Sequence, residues 1–360
     1  MARKTTLEKG LDAFKAKMDK SYGAGVFATA KKMKYGVIST GSLSLDRALI
    51  VGGYVEGRLY EIWGQESAGK TTLAINGLVQ AQLKHKDKAV MVIDVEHRFD
   101  TNWAQQHGVD LDRLIVVQPN TAEEVADQLK DANRSGLFSM IVLDSIGAML
   151  PEKEMDKDAG DATVGLHAKL VTRMVKIAAS TAYTTGTVVI FINQVRANIG
   201  GYGADVDTPG GYALKHCSTG KFNVRRTSKG QLLDGKDQVG HLTTVKVERN
   251  SVATAYRSAE YALLYVPTEK YGAMGIDTTL EAAQIGKETG IISLAGAWYT
   301  NTLDEERYNG WEALLKGLRK DPEMVLRIRE AALATEVDKV VDDGGVNLDG
   351  EIKFAKGSAE

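Results

Sequence analysis

Eight consecutive residues, Gly64-Gln65-Glu66-Ser67-Ala68-Gly69-Lys70-Thr71, fit G-x-x-x-x-G-K-[ST] without deviation. Glycines at both ends let backbone N–H groups curl around phosphates, and a following helix adds about half a positive charge at its N-terminus. Lys70 is placed to reach the β- and γ-phosphates of ATP, and the Thr71 hydroxyl to ligate Mg²⁺. The expected nucleotide contacts run through Gly64, Gln65, Glu66, Ser67, Ala68, Gly69, Lys70, Thr71 and Thr72. Three further side chains suit the same chemistry. Asp144 ends the apolar run Met140-Ile141-Val142-Leu143, where a carboxylate contributes to Mg²⁺ binding, through water. Glu96 follows the run Ala89–Val95, either as the base that orients and deprotonates an attacking water or as a salt-bridged loop acid. Gln194 ends Phe191-Ile192-Asn193, where an amide can contact a γ-phosphate and pass its presence into the glycine-rich stretch that follows.

These residues need elements to hold them. Short β-branched runs at Leu59–Trp63, Ala89–Val95, Leu114–Val117, Met140–Leu143 and Val188–Ile192 read as buried parallel strands. Helical patterns lie between them, notably Thr71–Lys84 and Ala122–Asn133. Residues 37–267 are therefore an α/β nucleotide-binding domain with a mostly parallel central sheet. Leu242–Val247 and Ala259–Tyr265 add strands at one edge. Before the domain, Leu7, Leu11, Phe14 and Met18 recur at helical spacing, so 6–20 reads as an amphipathic helix. Its apolar stripe packs either on its own core or on a neighbouring subunit. After the domain come a small α+β region, 268–330, and a polar, mobile tail, 331–360.

Composition narrows the class. The chain has 360 residues, 37 of them glycine and five proline, with one cysteine, Cys217. Glycine excess without proline or a G-X-Y period excludes collagen and points to many special backbone positions. A single cysteine excludes an internal disulfide framework and suits a reducing, cytoplasmic setting. No apolar run approaches the ~20 residues of a membrane span, and the start of the chain lacks a secretory pattern. The net charge of -2 argues against bulk coating of nucleic acid but leaves a local basic patch open. The first 35 residues hold nine Lys/Arg against three acids, and 331–360 hold three against seven. Between Gln194 and Lys215 lie five glycines, one proline and no periodicity, the mark of a functional or disordered loop.

Together these strings resemble the bacterial RecA recombinase family. The resemblance runs through Ile38-Ser39-Thr40-Gly41-Ser42-Leu43-Ser44-Leu45-Asp46, the phosphate loop, Asp94-Val95-Glu96-His97, Asp144-Ser145, Phe191–Arg196 and Ala295-Gly296-Ala297-Trp298-Tyr299. It covers about residues 5–320. It implies an ATP-dependent helical filament on single-stranded DNA, bound without sequence preference, that captures duplex DNA and exchanges strands. It assigns Glu96, Lys70, Gln194 and Arg249 to catalysis, Thr71 and Asp144 to the metal, and Asp100, Trp103 and Tyr265 to the adenine side. Two DNA loops match as well. The first, Glu154–Gly165 with Val164 and Gly165, leads into a helix with Leu166, Leu170, Met174 and Ile177 on one side. Lys169, Thr172 and Lys176 on that helix become phosphate contacts. The second is Gln194–Lys215, with Arg196, Ile199, Gly210 and Gly211. Departures matter: Ser251 stands where relatives carry a second cation for the neighbour's ATP, His216 where they carry Phe, and Asp304-Glu305-Glu306 where they tend to be basic. A ring-shaped ATPase or helicase and an ATP-gated scaffold with little turnover remain rival readings.

Overall fold

The computed structural model describes residues 5–22, 35–155, 165–194 and 211–342. The chain divides into two compact units, 1–36 with 338–360, and 37–337. In the first, helix α1 spans Thr6–Tyr22. Its start is a reciprocal cap: Thr5 N–H donates to the Glu8 carboxylate at 2.6 Å, and Glu8 N–H donates to Thr5 Oγ1 at 3.2 Å. Leu7, Leu11 and Phe14 are exposed.

The second unit begins with β1 (Val37–Ile38), α2 (Leu43–Ala48), β2 (Tyr54–Val55), β3 (Leu59–Gly64), α3 (Lys70–Lys84), β4 (Ala89–Asp94) and α4 (Thr101–Gln106). It continues with β5 (Leu114–Val117), α5 (Ala122–Ser135), β6 (Phe138–Asp144), α6 (Glu152–Met155), α7 (Leu166–Thr185), β7 (Val188–Gln194) and α8 (Gly211–Cys217). Then come β8 (Gly220–Asp234), β9 (Asp237–Asn250), β10 (Ser258–Leu264), β11 (Gly275–Ile276) and α9 (Thr278–Thr289). The last elements are β12 (Ile292–Ala295), β13 (Trp298–Asn301), β14 (Arg307–Asn309), α10 (Trp311–Lys320) and α11 (Pro322–Asp342).

Among the described residues, nine strands form one sheet in the order β11-β10-β9-β8-β3-β7-β6-β4-β5. From β8 to β5 all neighbours run parallel; β8, β9, β10 and β11 pair antiparallel. The sheet is α/β and mostly parallel, as expected. Period-two alternation explains why both faces are buried. Val90 and Val92 join Leu73, Leu78 and Ile190 on one face, while Met91 and Ile93 join Leu129, Val175 and Phe191 on the other.

Two elements cross the expected domain boundaries. Leu263 and Leu264 of β10 pair with Ile276 and Gly275, so the large sheet continues past 267. The polar tail expected from 331 begins inside α11, where Ala332 is fully buried with Val325 and Ile328. Those residues recur at helical spacing, and a polar composition hid that period. The small antiparallel sheet β12-β13-β14 and helices α9 to α11 share a core that includes Leu43 of α2.

Candidate nucleotide site and DNA-facing elements

Parallel strands end on one edge of a sheet, which is where α/β folds place ligands. Here Gly64 pairs with Gln194 across β3 and β7, and Asp94 pairs with Asp144 across β4 and β6. The register alone gathers three of the predicted groups, with Asp94 beside them. The turn after β3 then forms the cradle. A side chain at Gly64 would collide with the Val224 carbonyl, and Gly69 sits at φ 95° with Leu263 Cδ2 only 2.9 Å from where a Cβ would be. Ser67 also adopts a left-handed conformation, φ 56°. Alternating backbone of this kind aims N–H groups into one concavity. Gly69 then starts α3 with no side chain over its first turn. The cradle has the shape and backbone polarity a triphosphate needs.

Lys70 is buried, and its Nζ donates to the carbonyls of Gly64 at 3.1 Å and Gln65 at 2.7 Å. Burial pulls its pKa down, while Asp144, Glu96 and Glu66 pull it back up. Thr71 Oγ1 donates to Asp144 Oδ2 at 2.8 Å, so the hydroxyl and carboxylate expected at Mg²⁺ are already adjacent. Hard oxygen donors of this kind fit that cation. Burial pushes the Asp144 carboxyl up to about 6, with Glu96 and Asp94 adding to the rise and Thr71 and Lys70 opposing it.

Glu96 stands two residues beyond β4, in a turn braced by Asp94. Asp94 accepts from the N–H groups of Arg98 and Phe99 at 3.2 and 3.0 Å, and from Gln118 at 3.0 Å. Glu96 Oε1 accepts from Gln194 Nε2 at 2.7 Å and from Ser145 Oγ at 2.5 Å. Oε2 lies 3.8 Å from Arg98 Nη1. Thr71 with Asp144, and Ser145 and Gln194 with Glu96, are thus two hydrogen-bonded groups, coupled to each other and to Lys70 electrostatically.

Other predicted residues lie apart from it. Asp100 caps α4, accepting from Asn102 and Trp103 N–H at 2.8 and 3.2 Å. The Trp103 ring packs 4.5 Å from His107 and against the core. No hydrogen bond of either residue reaches the phosphate loop among the described residues. Thr72 is buried within α3. The Tyr265 hydroxyl is hydrogen-bonded to His241 Nδ1. Arg249 turns to the C-terminal end of α8, donating to the carbonyls of Lys215 and His216 and, through Nε, to Ser251 Oγ at 3.3 Å.

On α7, Gly165 sits at the N-cap, and Lys169, Arg173 and Lys176 are exposed with Thr172 half-buried beside them. The buried stripe is Val171, Met174, Val175, Ala178 and Ala182. That corrects the expected stripe: Leu166, Leu170 and Ile177 are half-buried, and Ile177 shares an open depression with Lys169, Thr172, Arg173 and Lys176. Gly211 begins α8. Val164, Arg196, Ile199 and Gly210 lie outside the described residues. Sequence reasoning missed Ser145, Asp94 and His241 as parts of the site. Ser145 had a signal, its place directly after Asp144, whereas His241 is a lone histidine on a strand.

The comparisons with known proteins decide the family. A model of the RecA N-terminal domain matches residues 9–268. Protein RecA of Rhodococcus jostii is 37% identical over 347 residues, covering 93% of this chain and 96% of that one. Protein RecA of Saccharopolyspora erythraea is 38% identical over 329 residues (89% and 91%), and that of a Sulfurovum species 35% over 339 (92% and 94%).

The chain belongs to the RecA family.

With RecA likeness extending over nearly the whole length, its function is that of a RecA recombinase; the ring-ATPase and scaffold readings gain no support. Among the described residues, no helix is long and apolar enough to cross a membrane.

Proposed function

We propose that this chain hydrolyses ATP in a DNA-dependent manner at the Gly64–Thr71 loop and uses that cycle to drive strand exchange in a filament on single-stranded DNA. The observation that carries the reading is the gathering of the Thr71–Asp144 and Glu96–Gln194 hydrogen-bonded pairs at one sheet edge, both within electrostatic reach of Lys70. The loop N–H groups and Lys70 bind and neutralise the triphosphate. Thr71 and Asp144 would hold Mg²⁺, which supplies charge neutralisation of the phosphate oxygens when bound.

Glu96 is the base that takes a proton from the attacking water. Both of its hydrogen bonds fall on Oε1, so Ser145 and Gln194 fix the carboxylate's orientation and leave Oε2 as the face for water. Gln194 is the last residue of β7, directly before the glycine-rich stretch. An amide that exchanges Glu96 for a γ-phosphate would move that stretch, which links nucleotide state to DNA. The exposed Lys169 and Lys176, with Thr172, contact DNA phosphates, joined by Gly165, Val164, Arg196, Ile199, Gly210 and Gly211. Backbone contacts of this type accept any sequence. Asp100, Trp103 and Tyr265 act on the adenine side, and Arg249 reaches a neighbour's γ-phosphate after leaving α8.

Strand exchange by wild type and Glu96→Ala tests the reading. Wild type is expected to exchange strands with ATP turnover; the variant should bind ATP and DNA without hydrolysis. Equal ATP turnover by the two proteins would remove Glu96 from catalysis.

A further inference from the structure

His241 is an anomaly on β9. The inward positions of that strand are otherwise Thr243, Val245 and Val247, all fully buried, and His241 itself is 1% exposed. A buried imidazole is unfavourable unless its nitrogens find partners. Both do. Nδ1 is hydrogen-bonded to the Tyr265 hydroxyl, one residue past β10, and Nε2 to Thr243 Oγ1 at 3.0 Å. The backbone of Ala68 in the phosphate loop lies near enough to act on the ring electrostatically. Burial and the nearby Arg226 hold the ring below the ordinary histidine pKa, with Ala68 acting in the other direction. The surroundings reinforce the contact. Leu263, which pairs with His241 across β9 and β10, and Thr243 are the atoms that close the space beside Gly69.

An apolar side chain would serve a purely structural purpose here, as Val245 and Val247 do two and three steps along the inward face. A short hydroxyl could not reach both Tyr265 and Thr243. A flat ring with two opposed nitrogens does so, one donating and one accepting in its neutral form.

We propose that His241 is a positioning residue for the nucleotide: by tying Tyr265 to Thr243, which flanks Gly69, it braces the phosphate loop against the end of β10. The proposal rests on the assignment of Gly64–Thr71 as the ATP site, and it adds a residue that touches neither phosphate nor metal.

The test measures affinity for a non-hydrolysable ATP analogue with Mg²⁺, together with KM and kcat for ATP, on full-length chains. The variants are His241→Ala, His241→Asn, Tyr265→Phe and the double variant His241→Ala with Tyr265→Phe. His241→Ala is expected to weaken nucleotide binding and raise KM roughly five- to tenfold, the factor one net hydrogen bond is worth, with kcat little changed. Asn offers a donor and an acceptor and should recover most of that loss. Tyr265→Phe should weaken binding less and add almost nothing to His241→Ala, because the two act through one contact. Wild-type affinity in both His241 variants, or effects that multiply in the double variant, overturns the proposal. Should His241→Ala not fold, Tyr265→Phe decides: weakened analogue binding supports the brace, and wild-type affinity overturns it. If wild type itself fails to bind the analogue, the ATP-site assignment falls and the bracing role with it; if wild type binds and the variants match it, only the bracing role falls.

Discussion

Two carboxylates with raised pKa values, Asp144 half-buried at the end of β6 and Glu281 buried in α9, do different work. Asp144, at about 6, ends a parallel strand and shares one hydrogen bond with Thr71. Glu281 of α9 is raised to about 7 by burial, and it accepts from Ser42 Oγ at 2.6 Å, Leu43 N–H at 3.2 Å and Ser44 N–H at 3.0 Å. Those donors form the first turn of α2, so Glu281 caps a helix of the ATPase core from the C-terminal region. Arg329 lowers the pKa of Glu281 and lies 3.6 Å from Asp46 Oδ2. Asp46 in turn accepts from Ser39 Oγ, Thr40 N–H and Thr40 Oγ1. At this seam the carboxylate oxygens of Glu281 and Asp46 are hydrogen-bonded inside the protein. At the sheet edge Asp144 is bonded to the first turn of α3, beside the Gly64–Thr71 loop. A shifted pKa therefore does not mark a site by itself; the groups that face the carboxylate do.

The largest contrast lies in catalysis. Lys70→Ala and Glu96→Ala should each lower ATP turnover by about 10²–10⁴, while Glu281→Gln should leave kcat within about twofold. A kcat loss in Glu281→Gln equal to that of Glu96→Ala would erase the distinction.

Stability sharpens the same contrast. The folded-state pKa of Glu281 is raised, so its neutral form favours folding at low pH, and that contribution is lost as pH rises from about 4.5 to about 7. Thermal melts of wild type should therefore fall across that window by more than those of Glu281→Gln, by an amount on the order of 1–3 kcal/mol. Parallel melting curves for the two proteins would show that the seam is not proton-linked through this residue.

A smaller effect is expected on DNA. Lys169→Ala with Lys176→Ala should weaken binding to single-stranded DNA severalfold and flatten its salt dependence by about one to two in log–log slope. ATP-analogue affinity should stay unchanged in the same protein. An unaltered salt slope would take α7 out of the DNA surface. The smallest effect belongs to Ser251→Lys. Restoring a cation beside Arg249 should raise DNA-stimulated kcat severalfold, and an unchanged rate would mean that Ser251 is not a missing cation.

Much of this was readable before the fold. The phosphate loop, the strand ending in Asp144 and the placement of Glu96 and Gln194 all depend on local patterns: glycine spacing, β-branched runs and a polar residue at a strand's end. The parallel register then brings them together with little freedom. What escaped depends on long-range pairing. The Glu281 cap on Ser42 joins residues 239 apart in the chain. The bond between His241 and Tyr265 exists only because β9 and β10 pair in a particular register. The α7 stripe was misplaced because period alone could not choose between Leu170 with Ile177 and Val171 with Val175, and packing against α5 and α8 made the choice.

On the proposed reading, the groups gathered at one sheet edge both hydrolyse ATP and sense it on behalf of DNA. ATP hydrolysis by wild type and Gln194→Ala, measured as single-stranded DNA is titrated, addresses it most directly. Wild-type turnover should rise with DNA, while Gln194→Ala should bind ATP and stay at its basal rate throughout. A variant that answers DNA as wild type does would contradict the account.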